Sequence, residues 1–346
     1  MKVLHLLQSG SFSGAENVVC QIFGMLKNES DIEMVYCSSE GPIKEALAER
    51  GIRYIPLKNF TVDAIRTAIS NEKPDVIHAH DMRASFYAAK ACGRIPLVSH
   101  VHNNNFNSRG ISLKSIAYMY AAMKARHIFW VSQSSFDGYA FHGFFKNKST
   151  VLYNIIDIKD LYAKMQPDSC KYEYDVVYVG RLTYQKDPLR LMKVLRLAID
   201  KKPDIKIAIV GSGDMEEETK RCAINYGITD NVDFLGFQSN PLKIMHDSKA
   251  MIMTSRWEGT PMCALEALAL GVPIVSTPAD GLRDLIESGS TGYLFEDDAQ
   301  LAESLVSLAN DHEKQEKMSK NAYEFSLHYN DMQKYRSQIL KVYHQL

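Results

Sequence analysis

Two carboxylates, Glu258 and Glu266, stand eight residues apart in SRWEGTPMCALEALALGVPIVS (255–276), a stretch whose other residues mostly suit burial. Burying an unpaired charge is costly, so each carboxylate needs a partner. The preceding AMIMTS predicts a buried strand, and MCALEALALG predicts a helix from about Met262 to Gly271. Both carboxylates then lie near a strand exit, where they can accept hydrogen bonds from vicinal hydroxyls such as those of a sugar.

A second set of candidates follows YDVVYVG, in GRLTYQKDP. Gly180 permits close approach to a ligand, while Arg181 and Lys186 place two cations after a predicted strand. A planar guanidinium and a compact ammonium together suit a diphosphate.

Two glycine-rich turns also follow predicted strands. In QSGSFSGAENVV, Gly10 and Gly14 predict a tight turn into a helix whose free N–H groups favour a phosphate or carboxylate. In GSGDMEEE, Gly211 and Gly213 predict a turn, but Glu216 stands where a third glycine of the dinucleotide motif would be. We interpret this second turn as a packed wall of the site, and a dehydrogenase is not favoured.

Four histidines form two H-x-H pairs at strand ends: His78 with His80, and His100 with His102. This spacing places two imidazoles on one strand face, as metal ligands can be. Asp81 is the only acid near these pairs in the sequence. We therefore interpret the histidines as residues that hold the loops after the strands in place. No metal site and no cofactor are predicted. His102 is also placed to hydrogen-bond a polar substrate.

The elements that position these residues alternate between short β-branched runs and helical stretches, which predicts parallel sheets covered on both faces. The alternation restarts midway and predicts two doubly wound, Rossmann-like domains with a cleft between them. We predict domains at 1–165 and 166–329, with a terminal helix at 330–346 that packs back on the first. The predicted strands are 2–7, 33–37, 53–56, 75–80, 96–102 and 127–132, then 174–180, 205–211, 232–236, 250–255, 273–277 and 291–295.

The net charge of −1 conceals an asymmetry. Residues 1–160 carry 18 Lys and Arg against 14 Asp and Glu, a net of +4, which leaves −5 for the rest. This excess fits either an anionic partner of the first domain or an ordinary solvated surface. Scattered cysteines indicate reduced thiols in a cytoplasmic protein, and no apolar run reaches the length of a membrane span.

The ordered set GR…K at 180–186, GSGD at 211–214, VDFLG at 232–236 and E-x7-E followed by GVPIV resembles the retaining GT-B glycosyltransferases of family 4. SGAE and DVIHAHD in the first half are similar to the same family, and the resemblance spans essentially the whole chain.

The resemblance implies a role for each candidate. Glu266 would bind the donor ribose, and Glu258 the donor sugar with help from the backbone of Gly259, Thr260, Pro261 and Met262. Arg181 and Lys186 would hold the diphosphate without a metal, beside Gly180 and Gly211. His102 would lie near the donor sugar and acceptor, and Gly14 near the phosphates. HNNN replaces the H-G-x-D frequent in the family, which leaves the role of its acid open at Asn105.

The resemblance also implies a reaction: transfer of a sugar from a nucleoside-diphosphate sugar, UDP-sugar first, to a glycan or lipid-linked acceptor in cell-surface polysaccharide synthesis, including capsule or exopolysaccharide. No nucleic-acid partner is expected. YAFHGFFKNK (139–148) and LKSIAYMYAAMKAR (113–126) mix aromatics with cations, which suits peripheral contact with an anionic membrane or simply core-facing helices. Two alternatives stay open: a nucleotide-sugar epimerase of the same fold, and a non-catalytic nucleotide-sugar-binding partner subunit.

Overall fold

Two parallel sheets organise the chain, one in each of two units. The computed structural model describes residues 1–102 and 109–346. The first unit comprises Met1–Ile155 with Met332–Leu346, and the second comprises Ile156–Asp331. The central strands of each sheet are mostly apolar runs that are buried, as strands covered on both faces must be.

The first unit contains a seven-stranded sheet in the order β3-β2-β1-β4-β5-β6-β7, with all neighbours parallel. This order reverses direction between β1 and β4, which is where doubly wound sheets bind ligands. The strands are β1 (Lys2–Leu6), β2 (Glu33–Ser39), β3 (Tyr54–Leu57), β4 (Val76–His80), β5 (Leu97–Val101), β6 (His127–Trp130) and β7 (Ser149–Val151).

Helices on the two faces of this sheet connect the strands. They are α1 (Gly14–Leu26), α2 (Ile43–Glu49), α3 (Val62–Glu72), α4 (Asp81–Ala91), α5 (Leu113–Lys124) and α6 (Gln133–Gly138), with a 3₁₀ helix at His142–Lys148. Local chemistry sets their ends: Ser112 caps α5 in a reciprocal capping box with Ser115, and Thr61 caps α3.

The second unit contains a six-stranded parallel sheet in the order β10-β9-β8-β11-β12-β13. Its direction reverses between β8 and β11, so the loops after these neighbouring strands lie side by side. The strands are β8 (Val176–Val179), β9 (Ile207–Val210), β10 (Val232–Gly236), β11 (Ala250–Met253), β12 (Ile274–Ser276) and β13 (Gly292–Leu294).

The helices of the second unit are α7 (Ile158–Met165), α8 (Pro188–Lys201), α9 (Glu216–Tyr226), α10 (Leu242–His246), α11 (Met262–Ala269), α12 (Asp298–Asn310) and α13 (His312–Tyr329), with a 3₁₀ helix at Asp280–Asp284. The chain then returns to the first unit as α14 (Met332–Tyr343), whose Tyr335, Ile339 and Tyr343 are buried.

The boundary between the units falls before α7, whereas the sequence prediction placed it after residue 165. Side-chain contacts explain the position. Tyr162 donates a hydrogen bond to the Ala269 carbonyl, and the Asn240 amide donates one to the Lys164 carbonyl, so the second half of α7 is bonded to the second unit.

Candidate functional site

The loops that follow β8 and β9 lie backbone against backbone. The N–H of Gly180 donates to the Val210 carbonyl at 3.0 Å, and the N–H of Leu182 donates to the Ser212 carbonyl at 3.0 Å. Gly211 has φ +134°, and a Cβ there would come within 1.9 Å of the Gly180 oxygen. Glycine is therefore required at 211, and the close packing that the sequence predicted for this turn is present.

Lys186 and Glu258 form an ion pair between the loops that follow β8 and β11. The Lys186 ammonium Nζ lies 2.5 Å from Glu258 Oε1, and Ser255 Oγ donates to the same oxygen at 2.6 Å. Only 12% of the Lys186 side chain and 5% of the Glu258 side chain are exposed. The sequence assigned these residues to separate parts of a ligand and did not predict their contact.

The pairing keeps Lys186 charged despite its burial. Burial alone would lower the pKa of its ammonium, but the charge and hydrogen bond of Glu258 outweigh this and leave the pKa above its ordinary value. Arg181 follows Gly180 at the end of β8 and is exposed. The positive charge of Arg181 opposes the rise of the Lys186 pKa, so the two cations are close enough to interact after β8.

Hydrogen bonds to its backbone hold the loop that carries Glu258 in place. The N–H of Arg256 donates to the Gln185 carbonyl at 2.8 Å, and the Gln185 amide donates to the Trp257 carbonyl at 3.0 Å. The N–H of Glu258 donates to Asp280 Oδ2 at 3.2 Å. Gln185, Arg256 and Asp280 were not predicted from the sequence, because no local pattern marks a residue that supports a loop distant in sequence.

The segment Gly259–Thr260–Pro261–Met262 leads into α11 and is buried throughout. Pro261 is the N-cap residue, with φ −71° and ψ 126°, and so precedes the first turn of the helix. The helix begins at Met262 as the sequence predicted. A buried helix start presents backbone N–H groups to a ligand that reaches it.

Glu266 lies one turn inside α11 and is half-buried. Burial raises the pKa of its carboxyl to about 7, against a smaller opposing effect of Lys164. Within the described ranges, no side chain or backbone group donates a hydrogen bond to this carboxylate. A partly buried acid of this kind has capacity to accept hydrogen bonds from a ligand's hydroxyls.

The remaining predicted site residues belong to the first unit. Gly14 is the first residue of α1, and a Cβ on nearby Gly10 would come within 2.6 Å of the Glu40 oxygen, so the chain is closely packed just before this helix. His102 follows β5, and its backbone N–H donates to Asp81 Oδ1 at 2.9 Å. Asn105 lies outside the described residues.

The His102 ring is turned toward the interior of the first unit. Its Nε2 lies 2.9 Å from His80 Nδ1, and its Nδ1 is buried. Burial lowers the pKa of His102 to about 3, so the ring is neutral at physiological pH. The predicted hydrogen bond from this ring to a substrate stays a prediction.

The chain has two Rossmann-like units, one with a seven-stranded sheet and one with a six-stranded sheet. A cation–carboxylate site lies at the switch point of the second sheet. Together these features define a protein of the GT-B class. A solved structure agrees: the Anabaena protein HepE in complex with UDP-glucose is 23% identical, aligns over 100% of both chains and has a TM-score of 0.86.

Sequence comparison gives the family. The model of the glycosyl transferases group 1 matches residues 165–325, and that of glycosyltransferase family 4 matches residues 12–160. The chain belongs to these glycosyltransferases, as the motifs predicted.

Two curated relatives illustrate the range of similarity. An uncharacterised glycosyltransferase of Methanocaldococcus jannaschii is 30% identical over 149 residues, which is 41% of this chain and 37% of that protein's length. The UDP-Gal:α-D-GlcNAc-diphosphoundecaprenol α-1,3-galactosyltransferase of Escherichia coli is 25% identical over 337 residues, covering 86% of this chain and 84% of its own. The chain therefore spans little more than a third of the first relative.

Proposed function

We propose that the protein is a retaining glycosyltransferase that moves a sugar from a nucleoside-diphosphate sugar to a lipid-linked glycan. The observation that carries the proposal is the buried Lys186–Glu258 pair at the switch point of the second sheet, beside the exposed Arg181. The names of the similar proteins support a UDP-sugar as the first donor candidate, since HepE was solved with UDP-glucose and the E. coli relative uses UDP-Gal.

In this proposal, Arg181 and Lys186 bind the donor diphosphate. Negative charge grows on the diphosphate as its bond to the sugar breaks, and two fixed cations stabilise that charge without a metal ion. The raised pKa of Lys186 ensures that its ammonium is charged at the pH of the reaction. The close packing of the loops at Gly180 and Gly211 fixes the backbone beside these two cations.

The two carboxylates bind the remaining parts of the donor, which are the transferred sugar and the ribose. Glu258 Oε1 is held by Lys186 and Ser255, so its Oε2 is the oxygen that we assign to a hydroxyl of the transferred sugar. Backbone groups of 259–262 help to place that sugar. Glu266 accepts hydrogen bonds from the ribose hydroxyls.

A nucleotide screen followed by a transfer assay tests this function. We expect UDP or a UDP-sugar to raise the melting temperature, and turnover to require both donor and a lipid-diphosphate glycan. The product should retain the anomeric configuration by NMR, and added Mg²⁺ or Mn²⁺ should leave kcat unchanged. Absence of stabilisation by any nucleotide or nucleotide sugar would contradict the proposal. Conversion of the donor without acceptor would identify an epimerase, and binding without turnover would identify a partner subunit.

We further propose that the first unit docks on the cytoplasmic face of an anionic membrane, where a lipid-linked acceptor for cell-surface polysaccharide is presented. In the described ranges, no helix is long and apolar enough to cross a bilayer. One face of α5 packs inward through Tyr118, Ala121 and Ala122. Its other face exposes large apolar side chains, with Leu113 87% exposed and neighbouring Ile111 81% exposed, followed by Ile116, Tyr120 and Met123.

Charge complementarity favours an anionic lipid surface as the partner of this face. Phe144, in the 3₁₀ helix His142–Lys148, is 81% exposed. Residues 101–150 contain six cations and one acid. Apolar side chains that insert at the headgroup level and cations that contact anionic lipid are the pattern of an interfacial surface.

Vesicle flotation tests the docking. We expect the protein to float with phosphatidylcholine vesicles that contain phosphatidylglycerol, and to release at high salt. The double variant Leu113→Ser/Phe144→Ser should lose flotation. Phe237→Ser is the matched control, because Phe237 is 75% exposed on the second unit. Equal loss in the control, or no flotation of the wild type, would contradict the docking proposal and leave the transferase proposal untouched.

A further inference from the structure

Five histidines lie together on one face of the first sheet. The register pairs His5 of β1 with His78 of β4, and His80 of β4 with His100 of β5. Alternate residues of a strand share a face, so these four rings converge, and His102 follows beyond His100. Neighbouring ring centroids are 4.2–5.4 Å apart. The sequence revealed the two H-x-H pairs, and the sheet adds His5.

The rings of the three histidines on β1 and β4 are buried, with exposed fractions of 0% for His5, 0% for His78 and 2% for His80. Burial disfavours the charged imidazolium form. A neutral imidazole has one N–H donor and one nitrogen lone pair, which is the form that binds a metal.

The cluster contains buried nitrogens that lack hydrogen-bond partners among the described residues. They are Nε2 of His78, both ring nitrogens of His100 and Nδ1 of His102. A buried polar atom without a partner costs about 1–3 kcal/mol, and several of them in one cluster call for a specific reason.

His5, His78 and His80 have the spacing of a metal triad. One ring nitrogen of each lies within 4.8 Å of those of the other two. His5 Nδ1 and His80 Nε2 are 3.0 Å apart. Nitrogens bound to one tetrahedral zinc ion at about 2.0–2.1 Å would be about 3.4 Å apart, so this pair needs to open by only a few tenths of an ångström.

The second nitrogen of each triad ring already has an outer partner. Tyr343 Oη lies 2.7 Å from His78 Nδ1 and 3.5 Å from His5 Nε2, and His80 Nδ1 lies 2.9 Å from His102 Nε2. Metal-bound imidazoles are oriented in this way through their non-ligating nitrogen. In the alternative triad of His80, His100 and His102, His100 has no such partner among the described residues.

We propose that His5, His78 and His80 form a buried site for a divalent transition-metal ion of the zinc class, bound through His5 Nδ1, His78 Nε2 and His80 Nε2. Imidazole donors favour zinc, copper, nickel or cobalt over magnesium and calcium. The ion would fasten β1 to β4 across the switch point of the first sheet, with Tyr343 of α14 as an outer support. This role is independent of the transferase reaction proposed for the second unit.

Metal analysis of the tag-free full chain tests the site. After incubation with Zn²⁺ and dialysis, we expect about one zinc per chain by mass spectrometry. Co²⁺ should give the visible absorption of a tetrahedral nitrogen site. His78→Asn keeps a polar group near Nδ1 for Tyr343 and removes Nε2, so it should abolish both results. Tyr343→Phe should weaken affinity by about 10–100-fold, as outer-partner losses do.

His100→Asn is the matched control, because His100 belongs to the alternative triad alone. It should retain zinc and the cobalt spectrum. Loss of metal in His100→Asn with retention in His78→Asn would overturn the assignment in favour of the other triad. A wild type that retains no zinc, or equal retention by a folded His78→Asn variant checked by circular dichroism, would overturn the site itself.

Discussion

At the level of single residues, Glu266 links the stability of the second unit to pH. Its pKa is about 7 in the folded protein, whereas an unfolded glutamate has its ordinary value of 4.5. The folded state therefore binds the proton more tightly, and the free energy of unfolding should fall as pH rises from about 5 to 7. We expect Glu266→Gln to remove this fall and to be more stable than wild type at about pH 8, measured by urea unfolding.

The surface substitution Glu217→Gln is the control and should preserve the wild-type pH dependence. Donor binding should change in the opposite sense, because only the ionised Glu266 accepts hydrogen bonds with both oxygens. Affinity for the nucleotide should rise between about pH 6 and 8 in wild type and stay level in Glu266→Gln. A parallel rise in the variant would show that another group controls binding.

The Lys186–Glu258 pair permits structure and catalysis to be separated. Lys186→Ala leaves a buried carboxylate without its partner, which should lower the free energy of unfolding by about 3–5 kcal/mol. The double variant Lys186→Met/Glu258→Gln removes both charges and should recover most of that loss. Transfer should stay at least about 100-fold below wild type in both, since the diphosphate cation is absent. Recovered turnover in the double variant would reduce the pair to a structural role.

The same pair shows what local sequence could and could not predict. The residue types and their positions after strands identified Lys186 and Glu258 separately. Their contact spans 72 residues and depends on β8 and β11 being neighbours, which the sheet order supplies. Applying that order to the predicted strands would have placed both loops side by side. His5 was missed for a similar reason, because its partners come from β4.

At the level of elements, alternation of strands and helices predicted nearly the whole architecture. β7 was missed, since Ser149–Val151 has three residues and shows no usable periodicity. The prediction left two alternatives open for 113–126 and 139–148, and the first of these segments contains α5. The structure contains both features, a packed face and an exposed apolar face.

The turn after β9 provides a prediction at this scale. Gly211→Ala places a side chain at φ +134° and against the Gly180 carbonyl, so we expect a loss of more than about 3 kcal/mol in the free energy of unfolding. Gly227→Ala is the matched control, with φ +63° and open space around its Cβ position. It should cost about 1–2 kcal/mol. If chemical denaturation gave similar losses of unfolding free energy for the two variants, the loop after β8 would be able to move aside for the added methyl group.

At the scale of the whole molecule, the chain leaves the first unit after Ile155 and returns to it at Met332. The returning helix α14 packs on α1, and its Tyr343 reaches the histidines of β1 and β4. Arg336 of α14 also pairs with Glu29. The first unit is therefore completed by a segment that follows the second unit in sequence and is synthesised after it.

Deletion of residues 332–346 should consequently loosen the first unit and spare the second. Loss of the buried Tyr335, Ile339 and Tyr343 uncovers the face beside α1, because large apolar side chains each contribute about 1.5–3 kcal/mol on burial. Hydrogen exchange followed by mass spectrometry should speed up in β1, β4 and α1 and stay unchanged in β8 and β11. Lys341→Ala, at an exposed position of α14, should exchange like wild type. Faster exchange in both sheets after the deletion would mean that the two units unfold as one cooperative body, so that α14 stabilises the entire chain.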